Sequence, residues 1–159
     1  MPRPDGSEKK RLRSAARFFA TQALFQMEAS DVGVESVRSE FESHRIGAEF
    51  DGDTYSEADI ELFRALLSDA VSNQAKIDQM TDRALVAKWP IARIDPTLRA
   101  VFRAAGAELI GQNTPPKVTI SEFVDVAKAF FPLGKEAKFV NAVLDHMARE
   151  AKPAAFGVT

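Results

Sequence analysis

Two groups of basic residues, one near each end of the sequence, have the types and spacing that suit binding to a nucleic-acid backbone. In the first group Arg13 and Arg17 lie one helical turn apart, and three more cations precede them, Lys9, Lys10 and Arg11. Such a cluster can neutralise successive phosphates, which supply most of the affinity for a polyanion. The charge pattern alone is equally compatible with a solvated helix face that binds nothing.

The second group interleaves cations with aromatic rings. Its members are Lys128, Phe130, Phe131, Lys135, Lys138 and Phe139. This arrangement suits single-stranded nucleic acid, because bases stack on rings while cations follow the backbone. The alternative is that all three rings belong to the core, and Phe139 fits an apolar helical stripe with Val143. Phe130 and Phe131 point about 100° apart on a helix, which leaves room for one of the two to be exposed.

The residues that could perform catalysis are few. His44 and His146 are the two histidines, and neither has a carboxylate or a second histidine at metal-ligand spacing. The sequence has no cysteine, which excludes thiol catalysis, iron–sulfur clusters and cysteine-containing zinc sites. It also lacks a glycine-rich phosphate loop and a nucleophile elbow. Asp51 and Asp53 fit a solubilising loop better than a weak cation site. We therefore expect a binding protein that is not an enzyme and needs no cofactor or metal.

The net charge of −2 hides an uneven distribution. Residues 3–17 carry a charge of +4, residues 28–61 carry −9, and the rest of the chain carries +3. Separation of this kind predicts one face that binds polyanions and another that repels them. The acidic block includes a segment at residues 49–59 that could tune the choice of partner or only reduce non-specific binding to polyanions.

Helical spacing of apolar residues runs through nearly the whole sequence and predicts an all-α fold. With 159 residues, of which 45% are hydrophobic, one soluble domain can bury a core without disulfides. Apolar periods and capping signals predict helices over residues 9–29, 34–41, 60–88 with a possible break, 95–111, 119–130 and 135–152. Three of these limits depend on particular residues, namely a stop at Trp89 and Pro90, a start at Asp95 and Pro96, and a capping box of Thr119 with Glu122.

The connections between these helices are short, so neighbouring helices are expected to pack antiparallel. We expect a flexible N-terminal arm at residues 1–8, a helical domain at residues 9–152 that contains both basic groups, and a C-terminal tail at residues 153–159. No apolar run approaches the ~18 residues of a membrane span, and the first residues do not resemble a signal peptide. These features predict a cytoplasmic protein.

Five short blocks of residues form an ordered set between about residues 11 and 151. They are Ala16-Arg17 with Ala20 and Gln22-Ala23-Leu24-Phe25; Phe63-Arg64 with Leu66-Leu67 and Val71; Ile94-Asp95 with Leu98-Arg99 and Glu108-Leu109; Pro116-Lys117-Val118 with Ile120, Glu122 and Ala127-Lys128; and Lys138-Phe139-Val140-Asn141 with Val143-Leu144-Asp145. The set resembles, in the same order, the motifs of the NusB family of bacterial transcription antitermination factors. The resemblance implies a compact helical bundle of two packed helical subdomains.

The resemblance also implies a function in transcription. Members of the family bind boxA RNA in the leader of ribosomal RNA transcripts together with NusE, a small-subunit ribosomal protein, and help RNA polymerase to read through terminators. Carried over by position, the RNA contacts of the family match Arg13, Arg17, Lys128, Phe130, Lys138 and Phe139. With the remaining cations of the two groups, the candidate RNA-binding residues are Lys9, Lys10, Arg11, Arg13, Arg17, Lys128, Phe130, Lys135, Lys138 and Phe139.

Departures from the family pattern keep other interpretations open. Ser14 and Ala15 stand where many members have an arginine run, and Ser121 stands where an asparagine is usual. The chain could be a NusB-like module that acts with a separate ribosomal RNA methyltransferase, since its length leaves no room for a catalytic domain. It could also be a helical protein-interaction module whose basic residues only solubilise it. A homodimer and a monomer are both compatible with the resemblance.

Overall fold

The computed structural model describes residues 5–50, 53–54, 57–85 and 91–157. These residues contain seven α-helices, which are α1 Gly6–Ser30, α2 Val34–His44, α3 Ile60–Ser72, α4 Gln74–Ala84, α5 Pro96–Gly111, α6 Pro116–Phe130 and α7 Lys135–Ala151. Two-residue strands, β1 Glu49–Phe50 and β2 Asp53–Thr54, pair antiparallel within the acidic segment. Short 3₁₀ turns follow at Ile91–Arg93 and Pro153–Phe156. The predicted all-α class is confirmed, and the small ladder is the one β element that the apolar pattern missed among these residues.

Helix α1 begins three residues before the predicted start at Lys9. The carboxylate of Asp5 accepts a hydrogen bond of 2.8 Å from the backbone N–H of Glu8, so it caps the first turn at Gly6. The helix ends at Asp31, whose φ of 50° lies in the left-handed region. Because of this early start, Lys9 lies within a formed helix and not at its frayed end.

The long helical segment predicted over residues 60–88 is two helices. Asn73 separates α3 from α4, and its side-chain amide donates to the carbonyl of Asp69 at 3.0 Å. Asp59 caps α3 by accepting from the N–H of Leu62 at 3.0 Å, as expected for a capping residue. The predicted stop at Trp89 and Pro90 lies outside the described residues.

Helix α5 runs through the centre of the molecule and has the predicted limits. Asp95 caps it by accepting from the N–H of Thr97 at 2.7 Å, and Pro96 occupies the first turn. Gly106 lets α4 approach closely, since a Cβ at this position would lie 2.4 Å from Cγ2 of Ile77. Helix α5 can therefore contact several neighbours at once without steric conflict.

The capping box predicted at Thr119 and Glu122 is wrong. Helix α6 begins at Pro116, because the two prolines favour a start with proline in the first turn. Thr119 lies inside that first turn, fully buried, and its hydroxyl has no hydrogen-bond partner among the described residues. Glu122 does not cap the helix; its carboxylate accepts a hydrogen bond from the hydroxyl of Ser14 on α1 at 2.8 Å.

The helices form two groups around a continuous core. Helices α1, α2 and α3 pack together, as do α4, α5, α6 and α7, and α1 and α3 also contact α5. Buried apolar residues from both groups form one cluster, so the two groups fold as one body. Within the described ranges no helix has the length and apolarity needed to cross a membrane.

Candidate nucleic-acid interface

A cleft of about 570 Å³ separates the first turns of α1 from the first turns of α6. Eight of its lining residues carry charged or polar side chains, namely Lys9, Lys10, Arg13, Arg17, Thr114, Lys117, Ser121 and Glu122. Four of them belong to the first basic group of the sequence. The structure therefore places these cations against a second helix, whose residues contribute one further cation.

The lysines of this cleft are exposed and free to bind anions. Among the described residues, Lys9, Lys10 and Lys117 form no ion pair. Arg13 forms an exposed ion pair. Its Nη1 is 3.6 Å from Oδ2 of Asp59, and 38% of its side chain is exposed. An exposed pair of this kind contributes about 0–1 kcal/mol, so a phosphate can compete with the carboxylate. The cleft is thus a site of accessible positive charge.

Arg11 and Asp59 both make contacts along the first turns of α1. Arg11 is exposed and its Nη2 is 3.5 Å from Oε1 of Glu8, one turn earlier on the same helix. The backbone N–H of Asp59 donates to the carbonyl of Leu12 at 3.0 Å, which docks the end of the acidic segment on α1. Acidic and basic segments therefore meet at this point of the surface.

The sequence predicts that Arg17 contacts RNA at the surface, but the structure places its side chain in the core. Its side chain is 2% exposed, and its Nε and Nη2 donate to the two carboxylate oxygens of Glu108 at 2.7 and 2.8 Å. A step of four residues from Arg13 turns the side chain by about 40° around the helix, which directs it toward α5. Because its guanidinium is buried and bonded to Glu108, Arg17 is not available to a phosphate in this structure.

Glu108 is the buried partner of this ion pair. Burial raises the pKa of its carboxyl group, but the hydrogen bonds and positive charge of Arg17 outweigh this effect and hold the pKa below its ordinary value. A side-chain hydrogen bond with Thr114 acts in the same direction. The pair therefore joins α1 to α5 as two charged groups.

The second basic group lies along the same face. A groove of about 350 Å³ between α6 and α7 is lined by two lysines, two aspartates and two neutral polar residues, namely Lys117, Lys128, Asp125, Asp145, Ser121 and Asn141, together with apolar residues. Lys117 and Ser121 also line the first cleft, so the two depressions are continuous across α6. Lys138 precedes Asn141 by one turn of α7 and is exposed. The structure thus connects the basic start of α1 with Lys128 through residues of α6.

Lysines 128, 135 and 138 are all exposed, and within the part of the chain that the structure describes none of them forms an ion pair. Lys135 opens α7 directly after Gly134, whose φ of +81° requires the left-handed conformation that glycine adopts without strain. This turn aims the first residues of α7 back along α6. The face therefore continues from the groove to the α6–α7 turn.

The three aromatic side chains of the second group differ in exposure. Phe130 is half-buried and stacks on Phe18, with ring centroids 5.1 Å apart and planes 8° from parallel. Phe131 is also half-buried against the core, so neither of these two rings is exposed as the spacing had suggested. Phe139 is 36% exposed and contacts Phe102 edge-to-face at 5.9 Å. Of the three rings, a base can reach Phe139 most readily.

The sequence-based set of site residues omits Lys117, Ser121, Glu122 and Asn141. Ser121 and Lys128 follow Lys117 by four and eleven residues, a spacing that places the three on one face of a helix. This signal becomes visible once α6 is known to start at Pro116, before Lys117. The incorrect capping box assigned Lys117 to a loop and concealed the pattern.

Comparisons with known proteins give one consistent result. The NusB family model matches residues 14–149. The chain is 47% identical over 150 residues to the transcription antitermination protein NusB of Rhodopseudomonas palustris (strain BisB18), covering 94% of this chain and 88% of that protein. It is 43% identical over 152 residues to the protein of the same name from Agrobacterium fabrum (strain C58 / ATCC 33970), covering 95% and 92%.

Solved structures agree with the sequence relatives. The fold superimposes on T. maritima NusB with a TM-score of 0.73 and 30% identity, covering 99% of this chain and 100% of that one. A crystal structure of antitermination factors NusB and NusE in complex with dsRNA gives a TM-score of 0.69 and 25% identity, covering 88% of this chain and 98% of the matched chain.

Proposed function

Because the chain belongs to the NusB family, we propose that it is an RNA-binding transcription antitermination factor that binds boxA-type single-stranded RNA of ribosomal RNA transcripts together with NusE. The observation that carries the proposal is the continuous face on which the exposed lysines of α1, α6 and α7 meet. Two relatives with 43% and 47% sequence identity to this chain are named transcription antitermination protein NusB. A structural neighbour holds NusB, NusE and RNA in one complex.

In this proposal the lysines supply affinity for the RNA backbone, and the aromatic and polar side chains contact the bases. Exposed lysines neutralise phosphates and supply affinity that depends on salt but little on sequence. Phe139 is 36% exposed and offers ring surface for stacking, and the amide of Asn141, about 200° away around α7, offers both a donor and an acceptor to an unstacked base. Single-stranded RNA is the form whose base edges such groups can reach.

NusE and, through it, the RNA polymerase antitermination complex are the protein partners of this proposal. The factor acts in the cytoplasm, where ribosomal RNA is transcribed in bacteria. It needs no catalytic group, because its role is to hold RNA and protein together. A homodimer that covered the start of α1 would hide the cleft, so self-association and RNA binding would then compete.

Fluorescence anisotropy with a labelled boxA RNA, with and without NusE, tests this function. We expect tighter binding with NusE, tighter binding to boxA than to a scrambled RNA, and a log–log salt slope of about −0.7 for each phosphate neutralised. Equal affinity across the salt series would contradict the phosphate contacts. Equal affinity for boxA and the scrambled RNA would contradict the antitermination role.

A further inference from the structure

Glu122 is an acidic residue in a cleft whose other charged walls are basic. Its carboxylate is held in a fixed position, because Oε2 accepts a hydrogen bond of 2.8 Å from Oγ of Ser14 and Oε1 lies 3.7 Å from Nη1 of Arg17. Its side chain is 12% exposed, so one part faces the cleft while the rest is packed. This position calls for an explanation, since a carboxylate repels the phosphates that the surrounding lysines attract.

The negative charge of Glu122 is not cancelled by its neighbour. The guanidinium of Arg17 lies near two carboxylates. Its two short hydrogen bonds, from Nε and Nη2, go to Glu108, whereas its contact with Glu122 is longer. An ionised carboxylate has two oxygens with about four acceptor positions, and the hydrogen bond from Ser14 occupies one of them. Glu122 therefore keeps the capacity to accept hydrogen bonds from a molecule in the cleft.

The bases of RNA differ in how well they satisfy such a group. Guanine presents two adjacent donors, N1–H and N2–H, on its Watson–Crick edge, and these match the two oxygens of a carboxylate. On the same edge, cytosine and adenine place a ring-nitrogen acceptor beside the amino donor, and uracil flanks its one donor with two carbonyl oxygens. Each of these arrangements turns an acceptor toward the carboxylate, which is unfavourable. Guanine is the base that fits.

We propose that Glu122 is a specificity-determining residue that binds the Watson–Crick edge of a guanine seated in the cleft, while Lys9, Lys10 and Lys117 hold the adjacent phosphates. Ser14 and Arg17 are positioning residues, because they fix the carboxylate before the base arrives and reduce the reorganisation that binding requires. The inference rests on the proposed function, since it names the base that the same RNA-binding face selects.

The test compares guanosine with inosine, which lacks the N2 amino group but keeps N1–H. The probes are labelled oligouridylates that carry a single central guanosine, inosine or 7-deazaguanosine, together with oligouridylate alone. We expect the wild-type protein to bind the guanosine RNA about tenfold more tightly than the inosine RNA. The 7-deazaguanosine RNA should bind like the guanosine RNA, because its Watson–Crick edge is unchanged.

Glu122→Gln is the diagnostic variant. Its amide oxygen can still accept from Ser14, but the amide cannot offer two acceptors to guanine, so the preference for guanosine over inosine should fall to nearly one. Glu61→Gln is the matched control, because it removes the same charge from an exposed position on α3 and should keep the tenfold preference. Circular dichroism melting checks that both variants fold.

The outcomes separate the inference from the proposed function. Equal binding of guanosine and inosine RNA by the wild-type protein, with a normal salt dependence, overturns the role of Glu122 and leaves RNA binding intact. A full preference retained by Glu122→Gln also overturns it. Failure of the wild-type protein to bind both these probes and boxA RNA overturns the proposed function itself. Ser14→Ala, which loses the hydroxyl that holds Oε2, should reduce the preference without abolishing binding.

Discussion

Arg17 and Glu108 form two parallel hydrogen bonds, at 2.7 and 2.8 Å, between side chains that are 2% and 0% exposed. They join α1 to α5, whereas Lys9, Lys10 and Arg13 on the same helix line an open cleft. Helix α1 therefore has two different roles on neighbouring stripes. One stripe anchors the helix in the core, and the other presents charge to a ligand.

Replacing Arg17 with alanine should destabilise the protein by about 3–5 kcal/mol, because it leaves the carboxylate of Glu108 buried without its cation. Urea unfolding followed by circular dichroism measures the change. Arg13→Ala is the control, since its ion pair with Asp59 is exposed and its loss should lower stability by at most about 1 kcal/mol. An Arg17→Ala variant that unfolds at the same urea concentration as the wild type would contradict the structural role.

Stability should fall in acid through the same pair. The pKa of Glu108 is lowered in the folded state from an ordinary value of 4.5, so its contribution is complete above that pH and is lost as the pH falls through the lower folded-state value. Urea unfolding between about pH 7 and about pH 3 measures this loss. Glu108→Gln should be less stable at neutral pH and should show a weaker pH dependence in the acid range. If the stability of the wild type and of Glu108→Gln falls with pH in the same way, Glu108 is not the source of the acid sensitivity.

The sequence predicts the helices well because their signals are local. Apolar spacing and the Asp95 cap lie within the segments that they define, and the predicted limits of α5 and α7 match the structure. The burial of Arg17 has no local signal, because it depends on Glu108, 91 positions later in the chain. Seen alone, Arg17 is one more cation in a basic cluster.

The site also depends on contacts between residues that are distant in the sequence. Lys9, Lys10 and Arg13 are identified from charge alone, but Lys117 becomes part of the site only because α6 packs beside α1. The position of the Phe130 ring depends on stacking against Phe18, which belongs to another helix. Tertiary pairing therefore decides which members of a sequence cluster remain at the surface.

Lys117 should contribute to RNA affinity although the sequence pattern did not select it. Lys117→Gln should weaken binding of boxA RNA and make the log–log salt slope shallower by about 0.7, as expected when one phosphate contact to a single strand is lost. Lys76→Gln is the control, because Lys76 is exposed on α4 and lines neither the cleft nor the groove. Titrations at several salt concentrations measure both slopes. Identical slopes for the two variants would exclude Lys117 from the phosphate contacts.

Phe139 and Phe130 should separate stacking on RNA from stacking in the core. Phe139 is 36% exposed, so Phe139→Ala should weaken RNA binding by about 1–3 kcal/mol, as expected when a base loses the ring on which it stacks. Phe130 is half-buried against Phe18, so Phe130→Ala should lower the free energy of unfolding by about 2 kcal/mol. Anisotropy titrations and urea unfolding of both variants measure the two effects. If Phe130→Ala weakens RNA binding and leaves stability unchanged, the Phe130 ring leaves Phe18 to stack on a base, and the assignment of Phe139 as the principal stacking ring is wrong.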